Sequence, residues 1–181
     1  MAALGRRDCA WTWSSQACTP ASDSGRSAGA RTLTAMAIEG EYVPSQWDWV
    51  AKQIDQYESS GGTEGVTIQG APVIVMTMRG RRSGNVRKAA VMRVEHDGTY
   101  AAVASKGGSP ENPGWYHNLI AHPDVTLQDG TEMYEMRARE AEGAEKDEWW
   151  ARAAEAWPSY DEYQGRTDRS IPVVLLEPRE G

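Results

Sequence analysis

Five cations crowd one stretch of this chain: Arg79, Arg81, Arg82, Arg87 and Lys88 surround the loop GRRSGN, Gly80 to Asn85. Guanidinium forks and turn N–H groups at that density suit phosphate or carboxylate oxygens, although a solvated hairpin tip would carry the same charges without a ligand. A second glycine loop, SKGGSP from Ser105 to Pro110, carries Lys106 and leads into a helix start near Pro113. Glycines there let backbone approach a ligand closely, and the helix N-terminus adds a partial positive charge. Together the two loops outline a divided anion site. Neither is a nucleotide fingerprint: GRRSGN lacks the Lys-Ser/Thr ending of a P-loop, and no G-x-G-x-x-G opens a helix after a strand.

Aromatic residues stand next to both loops. The run WYHN, Trp115 to Asn118, follows the second loop, so Trp115 could wall a flat ring or serve as ordinary core. In WPSYDEY, Tyr160 and Tyr163 lie three residues apart and share one face of a short helix. Paired phenols can donate hydrogen bonds to a carbonyl or nitro oxygen while their rings bound a planar substrate; they could equally be interface aromatics with wet hydroxyls. His96, His117 and His122 show no metal-ligand spacing and read as surface or supporting groups.

The elements that must position these residues are mostly strands. Pro72 to Met78 is a β-branched-rich run stopped by Gly80, and the stretches Val86 to Val94 and Tyr100 to Ala104 flank Asp97-Gly98, a hairpin turn signal. A second hairpin joins Val125–Gln128 to Met133–Ala138 through Asp129-Gly130, and Ile171 to Leu176 supplies a sixth strand. Between them, Asn112 to Ala121 predicts a short helix with Pro113 in its first turn and Trp115, Leu119 and Ile120 on one side. Gly143 to Trp157 predicts another, with Trp149, Ala153 and Trp157 in line and Pro158 as its stop. Ahead of the strands, Trp47, Trp49, Val50, Ile54 and Tyr57 predict an amphipathic helix capped by Ser45 and ended by Gly61 and Gly62. Its aromatic face would pack on the core or cover a ligand. Six mostly antiparallel strands joined by hairpins, with helices inserted, favour a mainly β, closed or partly open barrel over a doubly wound sheet.

The 181 residues suffice for one domain with tails. Residues 1 to 35 are poor in large apolar side chains and predict a disordered extension, with Met36 as an alternative translation start and 36 to 181 as the folded domain. The net charge of −7 speaks against nucleic acid and anionic membranes as partners, so any anion site must be local. Cys9 and Cys18 both fall in the extension, leaving the domain behind it without a disulfide or a zinc-thiolate site. No apolar run is long enough for a membrane helix, and none follows Arg6 and Arg7 as a signal peptide would require. A cytoplasmic enzyme is the expectation.

Taken together, G-R-R-S-G, A-S-K-G-G, N-P-G-W-Y-H-N-L, the downstream A-H-P, and P-S-Y-x-x-Y followed by T-D-R-S-I-P-V-V resemble the deazaflavin-dependent nitroreductase family of actinobacteria, over roughly Tyr57 to Pro178. The resemblance implies a split β-barrel that binds coenzyme F420, a deazaflavin with a phosphodiester and an oligoglutamate tail. It implies that Arg81, Arg82, Ser83, Arg87 and Lys88 hold the phosphate and tail. Ala89, Ala90, Val91, Met92, Ala104, Ser105, Lys106, Gly107, Gly108, Gly114, Trp115, Tyr116, His117, Asn118 and Tyr160 would border the coenzyme. Ser105, Tyr160 and Tyr163 match the positions that address the substrate in the nitroreductase.

Trp157 departs from that pattern where the nitroreductase has a tyrosine, and Gly114 stands where a bulkier residue occurs. The expected reaction is hydride transfer from the reduced deazaflavin to a small planar acceptor: quinones, enones or lactones, and nitro compounds. Three other readings stand beside it. They are an FMN enzyme on the same fold, a non-catalytic coenzyme carrier, and an interaction domain without a small ligand.

Overall fold

A computed structural model describes residues 38 to 179 of the chain, so the predicted extension, Met36 and both cysteines lie outside the described residues. The structure begins with helix α1 (Asp48–Ser59), followed by strands β1 (Thr67–Ile68), β2 (Ala71–Arg79), β3 (Val86–Met92), β4 (Glu95–His96) and β5 (Thr99–Val103). Helix α2 (Gly114–Ala121) leads to β6 (Asp124–Asp129) and β7 (Glu132–Glu140). Helices α3 (Gly143–Ala156) and α4 (Ser159–Gly165) precede the last strand, β8 (Val173–Pro178). The sheet runs β1-β2-β6-β7-β8-β5-β4, with β3 also paired to β2, and every strand pairing is antiparallel. This curled half-barrel is the predicted class.

It has eight strands where six were expected, because two short ones were not legible. The predicted strand Val86–Val94 ends at Met92. Arg93 donates its N–H back to Pro72, and the chain then crosses to β4, which pairs with β5. One continuous strand cannot serve both partners, since β2 and β5 lie on opposite sides of a seam. The Asp97-Gly98 turn is real, with both residues at positive φ and the Glu95 carboxylate accepting from the Gly98 N–H at 2.9 Å, but it joins β4 to β5. The Asp129-Gly130 hairpin joins β6 to β7 as expected.

Two helix predictions need correction. α1 starts at Asp48, and the Ser45 hydroxyl accepts from Trp47 ahead of the helix without capping it. Its buried residues are Ile54 and Tyr57, while Trp47 and Trp49 are each 58% exposed. In α2, Pro113 is the capping residue rather than part of the first turn, and Ile120 is 51% exposed while Leu119 is buried. Adjacent helical residues point about 100° apart, and here the core lies on the Leu119 side, which leaves Ile120 toward solvent.

The core falls on the two faces of the sheet. Ile74, Met76, Met78, Leu127 and Leu176 pack inside the barrel with α2, and Val103, Val173 and Leu175 pack outward against Trp149 and Ala153 of α3. Each such large side chain stabilises the fold by roughly 1.5–3 kcal/mol relative to exposure. A third cluster seats α1 on β2 through Ile54, Tyr57, Val73 and Val75. The Tyr57 hydroxyl accepts from Gly130 N–H at 2.7 Å and so ties α1 to the second hairpin.

Candidate active site

Along the seam lies a cavity of about 1130 Å³. Six consecutive residues of β3, Arg87 to Met92, line it. Side chains in a strand alternate between faces, so an unbroken run means that the strand's edge, not one face, borders the cavity. The burial agrees: Ala89 and Val91 belong to the barrel interior, Ala90 and Met92 to the cluster under α1. Residues Glu41 to Val43 cover that edge only at Val86, through Val86 N–H to Glu41 and Val43 N–H to Val86.

The basic loop forms one end. Its shape comes from the β2–β3 turn, closed by Gly80 N–H to Asn85 and Gly84 N–H to Gly80, with the Ser83 hydroxyl accepting from Asn85. The Asn118 side chain of α2 accepts from the Arg81 N–H at 3.1 Å and orients the loop. Arg81, Arg82 and Ser83 line the cavity and are exposed, and neither arginine is in a salt bridge among the described residues. Lys88 differs: its ammonium meets both oxygens of Glu58 on α1 at 2.6 and 2.5 Å and lies 4.7 Å from the Tyr42 ring centre.

The other end is aromatic and drier. Ser105 is 8% exposed and Tyr160 4%, yet both line the cavity. Neither hydroxyl makes a hydrogen bond among the described residues, and neither is sealed, so both open into the cavity. Burial, with a smaller contribution from Tyr163, pushes the Tyr160 phenol well above its ordinary range and keeps it protonated. The Tyr160 and Tyr163 rings meet edge to face at 6.2 Å, and Trp157 completes that wall. Gly107 and Gly114 face open space, where a Cβ would meet no atom within 4 Å.

The structure thus brings Arg81, Arg82, Ser83, Arg87, Lys88, Ala89, Ala90, Val91, Met92, Ser105, Lys106, Gly107, Gly114, Trp115, His117, Asn118, Tyr160 and Tyr163 to one cavity. It does not bring Ala104, Gly108 or Tyr116 there. Ala104 is fully buried, and Gly108 is packed under α4, where a Cβ would stand 2.7 Å from the Tyr163 carbonyl. Tyr116 turns away to donate to Glu140 at 2.6 Å, and burial together with that carboxylate raises its pKa to about 12.

Sequence reasoning missed Arg169, whose guanidinium binds the loop that carries Ser105. Nothing in the spacing of TDRSIP marks it, because its partners lie 57 to 65 residues away. Among the described residues no group of three or more His, Cys, Asp and Glu could hold a metal, and no helix is long and apolar enough to cross a membrane.

The cavity fits a long ligand with an anionic end and a flat end. Unneutralised guanidinium groups stand at one extreme, small backbone-bordered positions lie along the middle, and rings with hydroxyls that open into the cavity stand at the other. A half-open antiparallel barrel with its ligand slot in the seam defines the split β-barrel class.

Within that class, residues 49–178 match the model of the F420H(2)-dependent quinone reductase family. The chain belongs to that family; it is an F420-dependent oxidoreductase, and coenzyme F420 is its cofactor. An F420H(2)-dependent quinone reductase of Mycobacterium tuberculosis is 35% identical over 127 residues, which cover 68% of this chain and 85% of that one. A solved F420-H2 dependent reductase is 50% identical, with a TM-score of 0.57 over 59% of this chain and 94% of that chain. A second solved structure, a domain-swapped dimer, is 46% identical, with a TM-score of 0.59 over 72% and 98%. The family read from the motifs is therefore the right one.

Proposed function

We propose that the aromatic end of the slot binds a flat quinone beside the coenzyme, and that enones, unsaturated lactones and nitro compounds of similar size enter the same place. The observation that carries this reading is the pair of buried hydroxyls, Ser105 and Tyr160, which open into the cavity without a protein partner. An acceptor oxygen is the partner they lack. Burial keeps Tyr160 neutral, which suits a hydrogen-bond donor to an oxygen that gains negative charge. Tyr163 holds the Tyr160 ring by its edge and contributes a third hydroxyl.

At the other end Arg81, Arg82, Ser83 and Arg87 would hold the phosphodiester and acidic tail through charge-assisted hydrogen bonds. Lys88 joins them only by exchanging Glu58 for the ligand. Between the ends, Ala89 to Met92, Lys106, Gly107, Gly114, Trp115, His117 and Asn118 border the ring system. The reduced coenzyme supplies a hydride. The protein fixes the acceptor's distance and angle and excludes water from the dry end.

The test is a fluorescence titration with oxidised F420 in parallel with FMN, followed by turnover of 2-methyl-1,4-naphthoquinone with the reduced deazaflavin. We expect tight F420 binding, weakened about tenfold by Arg81→Ala or Arg87→Ala, and quinone reduction slowed by Tyr160→Phe. Preference for FMN, or coenzyme binding with no turnover of any quinone, enone or nitro compound, would overturn the reading in favour of a flavin enzyme or a carrier.

A further inference from the structure

We propose that Arg169 is the positioning residue of the acceptor end, holding Ser105 in fixed relation to the helix that carries Tyr160 and Tyr163; this rests on the function proposed above. The guanidinium makes four hydrogen bonds: Nη2 donates to the carbonyls of Ala104 and Ser105, each at 2.9 Å. Nε donates to the Ser109 carbonyl at 2.8 Å and Nη1 to Asn112 Oδ1 at 2.6 Å. One planar group therefore binds the loop on both sides of Lys106–Gly108, and a flexible point charge could not do so.

That loop needs an external template. Lys106, Gly107 and Gly108 all have positive φ, at 46°, 66° and 83°. A lysine in that region is disfavoured on its own. The template is itself fastened to α4: Gln164 donates Nε2 to the Arg169 carbonyl at 2.8 Å and accepts from Ile171 N–H at 2.9 Å through Oε1. Gln164 directly follows Tyr163. Gly108, pressed against the Tyr163 carbonyl, joins the loop to the same helix a second time.

No carboxylate neutralises Arg169 among the described residues; its partners are uncharged oxygens. The arrangement gives the acceptor end fixed geometry and a positive field.

The experiment compares Arg169→Ala, Arg169→Lys and Gln164→Leu with the parent. It measures F420 stoichiometry and Kd, the induced circular dichroism of the bound deazaflavin, and kcat and KM for 2-methyl-1,4-naphthoquinone. Displacing reacting groups by about 1 Å costs on the order of a hundredfold in rate. We expect all three variants to bind one coenzyme per chain with Kd within about threefold of the parent, since the basic end is untouched. We expect kcat to fall roughly a hundredfold in Arg169→Ala and about tenfold in Arg169→Lys, with the dichroism band altered in both and KM little changed.

Parental kcat and dichroism in Arg169→Ala, or a loss of kcat that matches a loss of coenzyme-binding sites, would overturn the proposal. If Arg169→Ala does not fold, Gln164→Leu and Asn112→Ala decide it. Lowered kcat at full coenzyme stoichiometry supports positioning, and unchanged kcat overturns it. A parent that fails to bind coenzyme or reduce quinone removes the proposed function and this inference together, whereas an active parent with equally active variants removes only the inference.

Discussion

The two ends of the slot are built in opposite ways. At the basic end, Arg81, Arg82 and Ser83 are exposed and come from a single tight turn. At the acceptor end, Ser105, Tyr160 and Tyr163 come from two distant stretches; Ser105 and Tyr160 are both buried, Tyr160 in the cluster around Trp149 and Ser105 in the loop that Arg169 binds. Attraction between charges tolerates ångström displacements in a wet setting, because it falls slowly with distance and mobile arginines can follow the ligand. Hydride transfer does not tolerate them. The end that only has to hold is loose, and the end that has to align is rigid.

The largest effect should come from breaking the rigid end. Gly108→Ala would set a Cβ 2.7 Å from the Tyr163 carbonyl at φ 83°. We expect a loss of about 3 kcal/mol from clash and strain, or a Tm lower by roughly 6–12 °C. Gly107→Ala, one residue away in open space, should cost only about 1 kcal/mol. Equal losses for the two would mean that the loop does not rest on α4.

Tyr160→Phe should come next, lowering kcat about a hundredfold with coenzyme affinity and Tm nearly unchanged. It also has a pH signature. The folded phenol stays protonated above the pH where the unfolded one ionises, so unfolded chains bind fewer protons and stability falls as pH rises past about 10. Tyr57 and Tyr100 are raised in the same direction, so the variant should make this fall shallower by about one proton without abolishing it. Urea unfolding between pH 8 and 11 reads the slope.

The loose end should respond to salt instead. Arg82→Ala should weaken F420 binding about tenfold at low ionic strength, and the difference should shrink toward nothing near 1 M salt, where the Debye length is about 3 Å. The smallest effect is expected from Glu58→Gln, which releases Lys88. Coenzyme binding should tighten by a few fold while the fold loses roughly 0.5–1 kcal/mol. Weaker coenzyme binding in that variant would show that Glu58 itself supports the slot.

The sequence made these two ends legible to different degrees. The GRRSGN turn, the Asp129-Gly130 hairpin and the Tyr160/Tyr163 pair are local features, and local spacing fixes which residues meet. What could not be read was set by pairing over long distances. β5 finds β8 across 70 to 76 residues, Lys88 finds Glu58 thirty residues back, and Arg169 reaches Ala104 sixty-five residues away. The break at Arg93-Val94 belongs with these, because no Gly, Pro or turn residue marks a stop within Val86–Val94 and only the separation of β2 from β5 divides it. Trp47 and Trp49 were expected either to pack on the core or to cover a ligand, and local spacing does not choose between these; they border the slot while remaining largely exposed, a placement that follows from where α1 docks.

β3 turns its edge toward the slot, and this bears on how the protein can change over generations. Main-chain groups are the same under every side chain, so substitutions at Ala89 to Met92 alter the two cores behind the strand and leave the backbone facing the slot in place. Tyr160, Tyr163 and Trp157 have no such protection. A lineage carrying this fold can therefore exchange one acceptor for another by point mutation at that wall while the main-chain border of the slot is inherited almost unaltered.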